Sequence, residues 1–164
     1  MEVKAHLAPL IIKNMSLQTD IVFVEAIRSN TDLIAQLPAG DVYNTAIALP
    51  DEDADNAPLP YVIVSFDGLS PQDSTKDNRW DSLTDVVNVG VVIVAQTRPS
   101  LADLAIKVRK SIIDYFTAQV QEEGENAGLI PYSYTMQAEA VQYDSLKPCY
   151  WQRLIFTCIT DPDL

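Results

Sequence analysis

The sequence predicts an α+β domain, an antiparallel (mixed) sheet of four to five strands with two helices packed on one face. Three observations carry this. Residues 85–96 put Val87, Val89, Val91 and Ile93 in an unbroken apolar row, while Asn88 and Gly90 interrupt the even row. Such alternation belongs to a strand with one face in the core and the other mixed. Residues 101–116 instead repeat Leu101, Leu104, Ala105, Val108, Ile112, Tyr115 and Phe116 at helical spacing, opposite Asp103, Lys107, Lys110 and Asp114. The segments run helix, short strand, two long strands, helix, two strands, with no internal repeat, heptad run or linker, so one sheet face needs cover and two helices supply it.

The elements follow in order. Ile21, Val24, Ile27, Leu33, Ile34 and Leu37 keep helical spacing, and Ser29-Asn30-Thr31-Asp32 among them carries cap and turn chemistry. A helix over about 19–29 and a shorter helical turn are expected, closed by Pro38-Ala39-Gly40. Residues 42–48 suit a short edge strand, and 49–58 read as a loop. A β-branched and aromatic strand, 61–66, stops at Asp67-Gly68. Residues 69–84 are polar, charged and too long for a tight turn. After the Val-rich strand, Pro99 ends it, Ser100 caps the second helix, and Asp103 completes a capping box. That helix runs out near Gln121. Two closing strands, about 130–142 and 149–160, join through a hairpin at 143–148; the last puts Tyr150, Gln152, Leu154, Phe156 and Cys158 on one face.

The chain has 164 residues, with 23 acidic against 11 basic side chains, a formal net charge of -12, and 48% hydrophobic residues. At this length roughly 70% of the unfolded surface is buried on folding, enough for a core without staples. One domain is expected: an arm at 1–16, a core at 17–160 and an acidic tail at 161–164. Tight nucleic-acid binding is excluded by charge, because a domain that neutralises phosphates needs a basic face. The charge is concentrated, with -4 in residues 51–55, -3 in 67–85, -3 in 122–125 and -2 in 161–163. An apolar stretch from Leu7 to Ile12 is broken by Pro9, and Glu2 stands where an export signal wants positive charge. Neither an export signal nor a membrane span is expected, and the chain is read as cytoplasmic when made.

Catalytic chemistry finds little to stand on. His6 is the single histidine, so any Ser-His or Cys-His set would have to run through it, and no nucleophile near it sits on a strand-turn-helix elbow. Cys149 and Cys158 are nine steps of about 3.3 Å apart along one strand and on opposite faces, which predicts free thiols and no zinc site. Asp51, Glu52, Asp53 and Asp55 begin like a calcium loop. Asn56 then replaces the turn glycine and Val62 the bidentate glutamate, which leaves a solvated acidic loop as the expectation. No phosphate-cradling glycine motif is present and nothing fixes a carboxylate pair. No catalytic residue, cofactor or metal is predicted. Trp80, between Arg79 and Asp81 in a polar segment, fits either a protein contact or a ring folded back over the sheet edge. Tyr132, Tyr134, Tyr143, Tyr150 and Trp151 fit either sheet packing or a subunit interface.

The layout resembles the tail terminator, or tail-completion, proteins of long-tailed bacteriophages. The matching features are an N-terminal helix leading into Ser29-Asn30-Thr31-Asp32-Leu33-Ile34, then Gly40-Asp41-Val42-Tyr43, then Leu59-Pro60-Tyr61-Val62-Ile63-Val64 after a Pro-containing loop. A charged crossover, a Val-rich strand running into the helix at 101–116, a hairpin around Tyr143-Asp144 and a terminal strand complete the likeness over most of 17–160. The acidic loop at 51–57 and the segment at 117–130 are longer than in that pattern. The resemblance implies a non-enzymatic virion protein of the tail and neck. Its subunits form a homo-oligomeric ring, usually a hexamer, that caps the tail tube protein and meets the head-tail connector proteins while DNA passes through the bore without tight binding. Arg79, Trp80, Asp81, Tyr150 and Trp151 become candidate subunit or partner contacts, and Asp51, Glu52, Asp53 and Asp55 a loop facing bore or solvent. Two other readings remain: a head-side connector or stopper of the same neck, and a small enzyme or ligand-binding domain without a recognisable motif.

Overall fold

A computed structural model describes residues 16–44, 57–72, 84–121 and 133–160. The centre of the sheet is the Val-rich strand. Its odd positions Val87, Val89, Val91 and Ile93 are fully buried under the helices, as the alternation requires. The helices are α1 (Thr19–Arg28), α2 (Thr31–Ala35) and α3 (Arg98–Gln121), and a single 3-10 turn, Ser16–Gln18, leads into α1. The strands are β1 (Tyr43–Asn44), β2 (Tyr61–Gln72), β3 (Thr84–Ala95), β4 (Ser133–Ala138), β5 (Gln142–Asp144) and β6 (Cys149–Thr160). Their order across the sheet is β1-β2-β3-β6-β4, with β5 also on β6. Only β1 and β2 pair in parallel, so the sheet is mixed and the fold is α+β.

Four aromatic rings tie the two layers together. Phe23 of α1 lies 5.3 Å from Phe116 of α3 and 5.0 Å from Phe156 of β6, and Tyr134 of β4 closes the group 5.6 Å from Phe116. Tilted and edge-on contacts of this kind add to the burial of the rings themselves. The start of α1 is fixed by the buried hydroxyls of Ser16 and Thr160, 2.7 Å apart. Its exit realises the predicted cap chemistry: the Leu33 amide donates to Asn30 Oδ1 at 3.1 Å, and Asn30 Nδ2 donates to Ser111 Oγ of α3 at 2.9 Å. One side chain thus caps α2 and docks it on α3. Gly40, at φ 67°, turns the chain out of the Pro38-Ala39 bend in a conformation that side chains rarely adopt.

Three elements differ from the sequence reading. The first is β2, which runs on to Gln72 instead of stopping at Asp67-Gly68, because a β-bulge between Phe66 and Gly68 absorbs one extra residue and lets pairing with β3 continue. Gly68 takes φ 140°, open to glycine and strained for other residues. At the start of α3, the cap is Thr97: its Oγ1 accepts the Ser100 amide at 3.2 Å and its carbonyl accepts the Leu101 amide at 3.0 Å. Pro99 falls within the first turn, where its missing N–H costs nothing. Asp103 closes no capping box and instead pairs with Lys107 at 2.8 Å. The closing hairpin turns at 145–148 as expected, but its first strand is broken at 139–141 into β4 and β5. The acidic balance also moves: Asp67 and Asp85 belong to strands, and the described residues hold ten of the 23 acids and seven of the 11 bases.

Candidate interface

Sheet alternation sends the other half of each long strand to a face that the helices do not cover. In its middle lies a polar group. Asp67, the extra residue of the β2 bulge, follows Ser65 on this face, where its carboxylate pairs with the Arg153 guanidinium of β6 and accepts from Ser65 Oγ at 2.7 Å. The pair spans β2 to β6 and crosses over β3 at Gly90. A Cβ on Gly90 would clash with Asp67 Oδ2 and stand 2.8 Å from Ser65 Oγ and 3.1 Å from Arg153 Nε. The glycine that interrupts the apolar row is the gap through which the bridge passes. Beside it, Thr157 Oγ1 donates to Asn88 Oδ1 at 2.9 Å.

Toward the β5–β6 turn this face becomes an open groove of about 750 Å³. Its floor is apolar, from Ile63, Val92, Val94 and Trp151, and its rim carries Asp144, Leu146 and Lys147. The turn is shaped by Asp144, whose Oδ1 accepts the Leu146 amide at 2.9 Å, and it holds the Leu146 side chain 96% exposed. Burial, reinforced by Asp144 and opposed by Lys147, pushes the Cys149 thiol at this end above its ordinary value.

The two margins of the sheet are a second feature. β1 covers β2 only at Ile63 and Val64, so among the described residues the outer edge from Ser65 to Gln72 has no strand beside it. At the far side, β4 has no outer neighbour among the described residues. Its six residues carry no charge, the usual guard against unwanted edge pairing. Burial raises the Tyr134 phenol of this strand above its ordinary value, with Arg109 of α3 opposing.

Of the predicted contacts, Tyr150 and Trp151 fall on opposite faces of β6. Tyr150 packs against the core and lies tilted against Tyr143, ring centres 4.9 Å apart, while Trp151 opens into the groove. Arg79, Trp80, Asp81 and the acidic loop of Asp51, Glu52, Asp53 and Asp55 lie outside the described residues, as do His6 and Tyr132. Cys149 and Cys158 are free, buried and on opposite sides of one continuous strand. Burial pushes the Cys158 thiol up to about 12. Among the described residues no three His, Cys, Asp or Glu side chains gather as metal ligands, and no helix is long and apolar enough to cross a membrane. The Asp67–Arg153 bridge was hidden in the sequence by a separation of 86 positions; the break in the apolar row at Asn88 and Gly90 was its one visible sign. No protein-family model matches this chain, and no curated protein matches it.

Proposed function

We propose that this chain is a structural ring protein of a bacteriophage neck, a tail terminator that caps the tail tube and offers the joining surface to the head-side connectors. The observation that supports this reading is the pair of unlike margins of one sheet, β1 and β2 at one side and β4 at the other, in the strand order of the described residues. A closed ring requires two different patches on each subunit, each complementary to the other, and unlike edges on opposite margins are the strand form of that requirement. The near-balanced charge of the described body agrees with subunits that pack side by side. In this reading DNA traverses the bore without being held, because acidic segments repel phosphate.

The test is the absolute mass of the purified protein in solution, with electron micrographs of the protein alone and mixed with tail tubes. Rings that seat on tube ends are expected. A stable monomer that neither closes into rings nor binds tube ends overturns the reading, and rings that bind connectors but ignore tubes replace it with a head-side stopper. The groove beside Trp151 favours a second reading, a binding domain for a small or peptidic apolar ligand. Its sign would be a ligand that raises the melting midpoint of a protein that stays monomeric.

A further inference from the structure

We infer that Asp67 is a residue the strand itself does not need. The bulge in β2 serves the uncovered face, where it sets a carboxylate against Arg153, and the ladder closes without it. The inference rests on the sheet alone and stands apart from the ring reading.

The register carries it first. β2 has twelve residues, and eleven of them take consecutive partners on β3, from Tyr61 opposite Val94 to Phe66 opposite Val89, and from Gly68 opposite Asn88 to Gln72 opposite Thr84. Asp67 is the twelfth, set between two pairs that are already neighbours along β3. Removing it joins Phe66 to Gly68 and leaves every other pair as it is.

The apolar phase carries it further. Residues directly opposite in an antiparallel ladder point to the same side, and the buried row Ile93, Val91, Val89 and Val87 meets Val62, Val64, Phe66 and Leu69. β2 thus reaches the helices at even positions up to Phe66 and at an odd one, Leu69, beyond it; both of these side chains pack on the core. In a regular strand, period two would send Phe66 and Leu69 to opposite faces. The bulge restores the phase, but so does a chain one residue shorter, in which the two lie two positions apart. The core therefore gives no reason for the extra residue.

The surroundings of Asp67 supply one. Its carboxylate pairs with Arg153 of β6 and accepts from Ser65 Oγ at 2.7 Å, and Gly90 of β3 leaves the opening between. Gly68 takes φ 140° beside it, although a Cβ there would meet nothing within 4 Å. Two glycines on two strands are committed to one carboxylate. Re-aiming a side chain is what a bulge can do without breaking the sheet. Asp67 is a positioning residue, and what it positions is the Arg153 guanidinium over the centre of the uncovered face.

Two deletions in the full chain decide the matter. Deleting Asp67 should leave a folded protein with a urea midpoint within about 0.5 M of the parent, since a partly exposed ion pair is all that is lost. Deleting Ser65 also shortens β2 by one and closes the bulge, but it moves Asp67 opposite Val89 in place of Phe66. A carboxylate then enters the core, and the midpoint should fall by more than about 1 M. An Asp67 deletion as damaging as the Ser65 deletion overturns the inference. Gly68→Ala should lower the midpoint of the parent, where φ 140° strains a side chain, and hardly change that of the Asp67 deletion, where residue 68 joins a regular strand. Equal losses in both backgrounds overturn it as well. The positioning role is read from the Arg153 guanidinium protons, whose exchange with water, followed by NMR, should be about tenfold faster once Asp67 is deleted. An unchanged exchange rate denies Asp67 that role.

Discussion

On the helix-covered face of the sheet, Val87, Val89, Val91, Ile93 and Phe156 are fully or almost fully buried, and the buried polar side chains of this face, Asp85 and Thr160, sit at its end. On the other face of the same strands, Asn88, Gly90, Arg153 and Thr157 alternate with Val92, Trp151 and Ile155, all but Gly90 partly exposed. One face is held by excluding water. The other keeps a polar bridge over a glycine and leaves its apolar side chains half-covered at either end. The difference shows how one set of strands carries two kinds of surface: the first face supplies stability, and the second stays partly exposed among the described residues.

The largest test of that division compares one ring from each face. Phe156→Ala opens a cavity among four packed rings and should cost about 3–5 kcal/mol in urea unfolding. Trp151→Ala removes a half-covered ring and should cost about 1 kcal/mol. Equal costs would make the uncovered face a second core. The two thiols probe the same contrast. With its thiol pushed to about 12 from an ordinary 9.0, Cys158 should carry about a thousandfold less thiolate than an exposed cysteine, so alkylation followed by mass spectrometry should label it only on unfolding. Cys149, raised by burial but nearer the open groove, should label first.

Gly90→Ala comes next. The added methyl must displace the Asp67 carboxylate and should cost about 1–2 kcal/mol, a cost that should largely vanish in an Asp67→Ala background. A cost unchanged by removing Asp67 would mean that backbone, not the bridge, requires the glycine. The smallest effect belongs to a pair away from both faces. Arg28 hydrogen-bonds Asp41 at 2.7 Å and holds its carboxyl below the usual 3.8. Because the folded value lies below the unfolded one, the contribution is present at neutral pH and fades as pH falls below about 3.8 toward the folded value. With side chains 50% and 46% exposed it should stay under about 1 kcal/mol. The stability gap between the protein and its Asp41→Asn variant should therefore hold at neutral pH and narrow as pH falls below about 3.8.

Periodic elements were the ones the sequence announced. The odd apolar row of β3, the stripe of α3 and the Asn30 cap each depend on residues a few positions apart, and each formed where its pattern lay. The continuation of β2 was obscured because Asp67-Gly68 has the composition of a turn, and only pairing with β3 shows it to be a bulge. Thr97 was passed over for Ser100, since either hydroxyl can cap and the choice rests on where Pro99 is tolerated. Of the proposed contacts, Trp151 was legible as an aromatic on the less polar-free side of β6.

The strand order carries a consequence for synthesis. β6 follows β4 and β5 in the chain, yet it lies between β3 and β4 and is their partner in the sheet. As a chain emerges N-terminal end first, β4 and β5 appear before anything described here can hold them, and β3 waits with one edge bare. Once β6 arrives, eleven register pairs with β3 and six with β4 form in one event. The β4 margin therefore does not exist on a nascent chain. A chain translated only as far as β5 has these strands but not the partner that fixes them, so the finished sheet waits for Thr160.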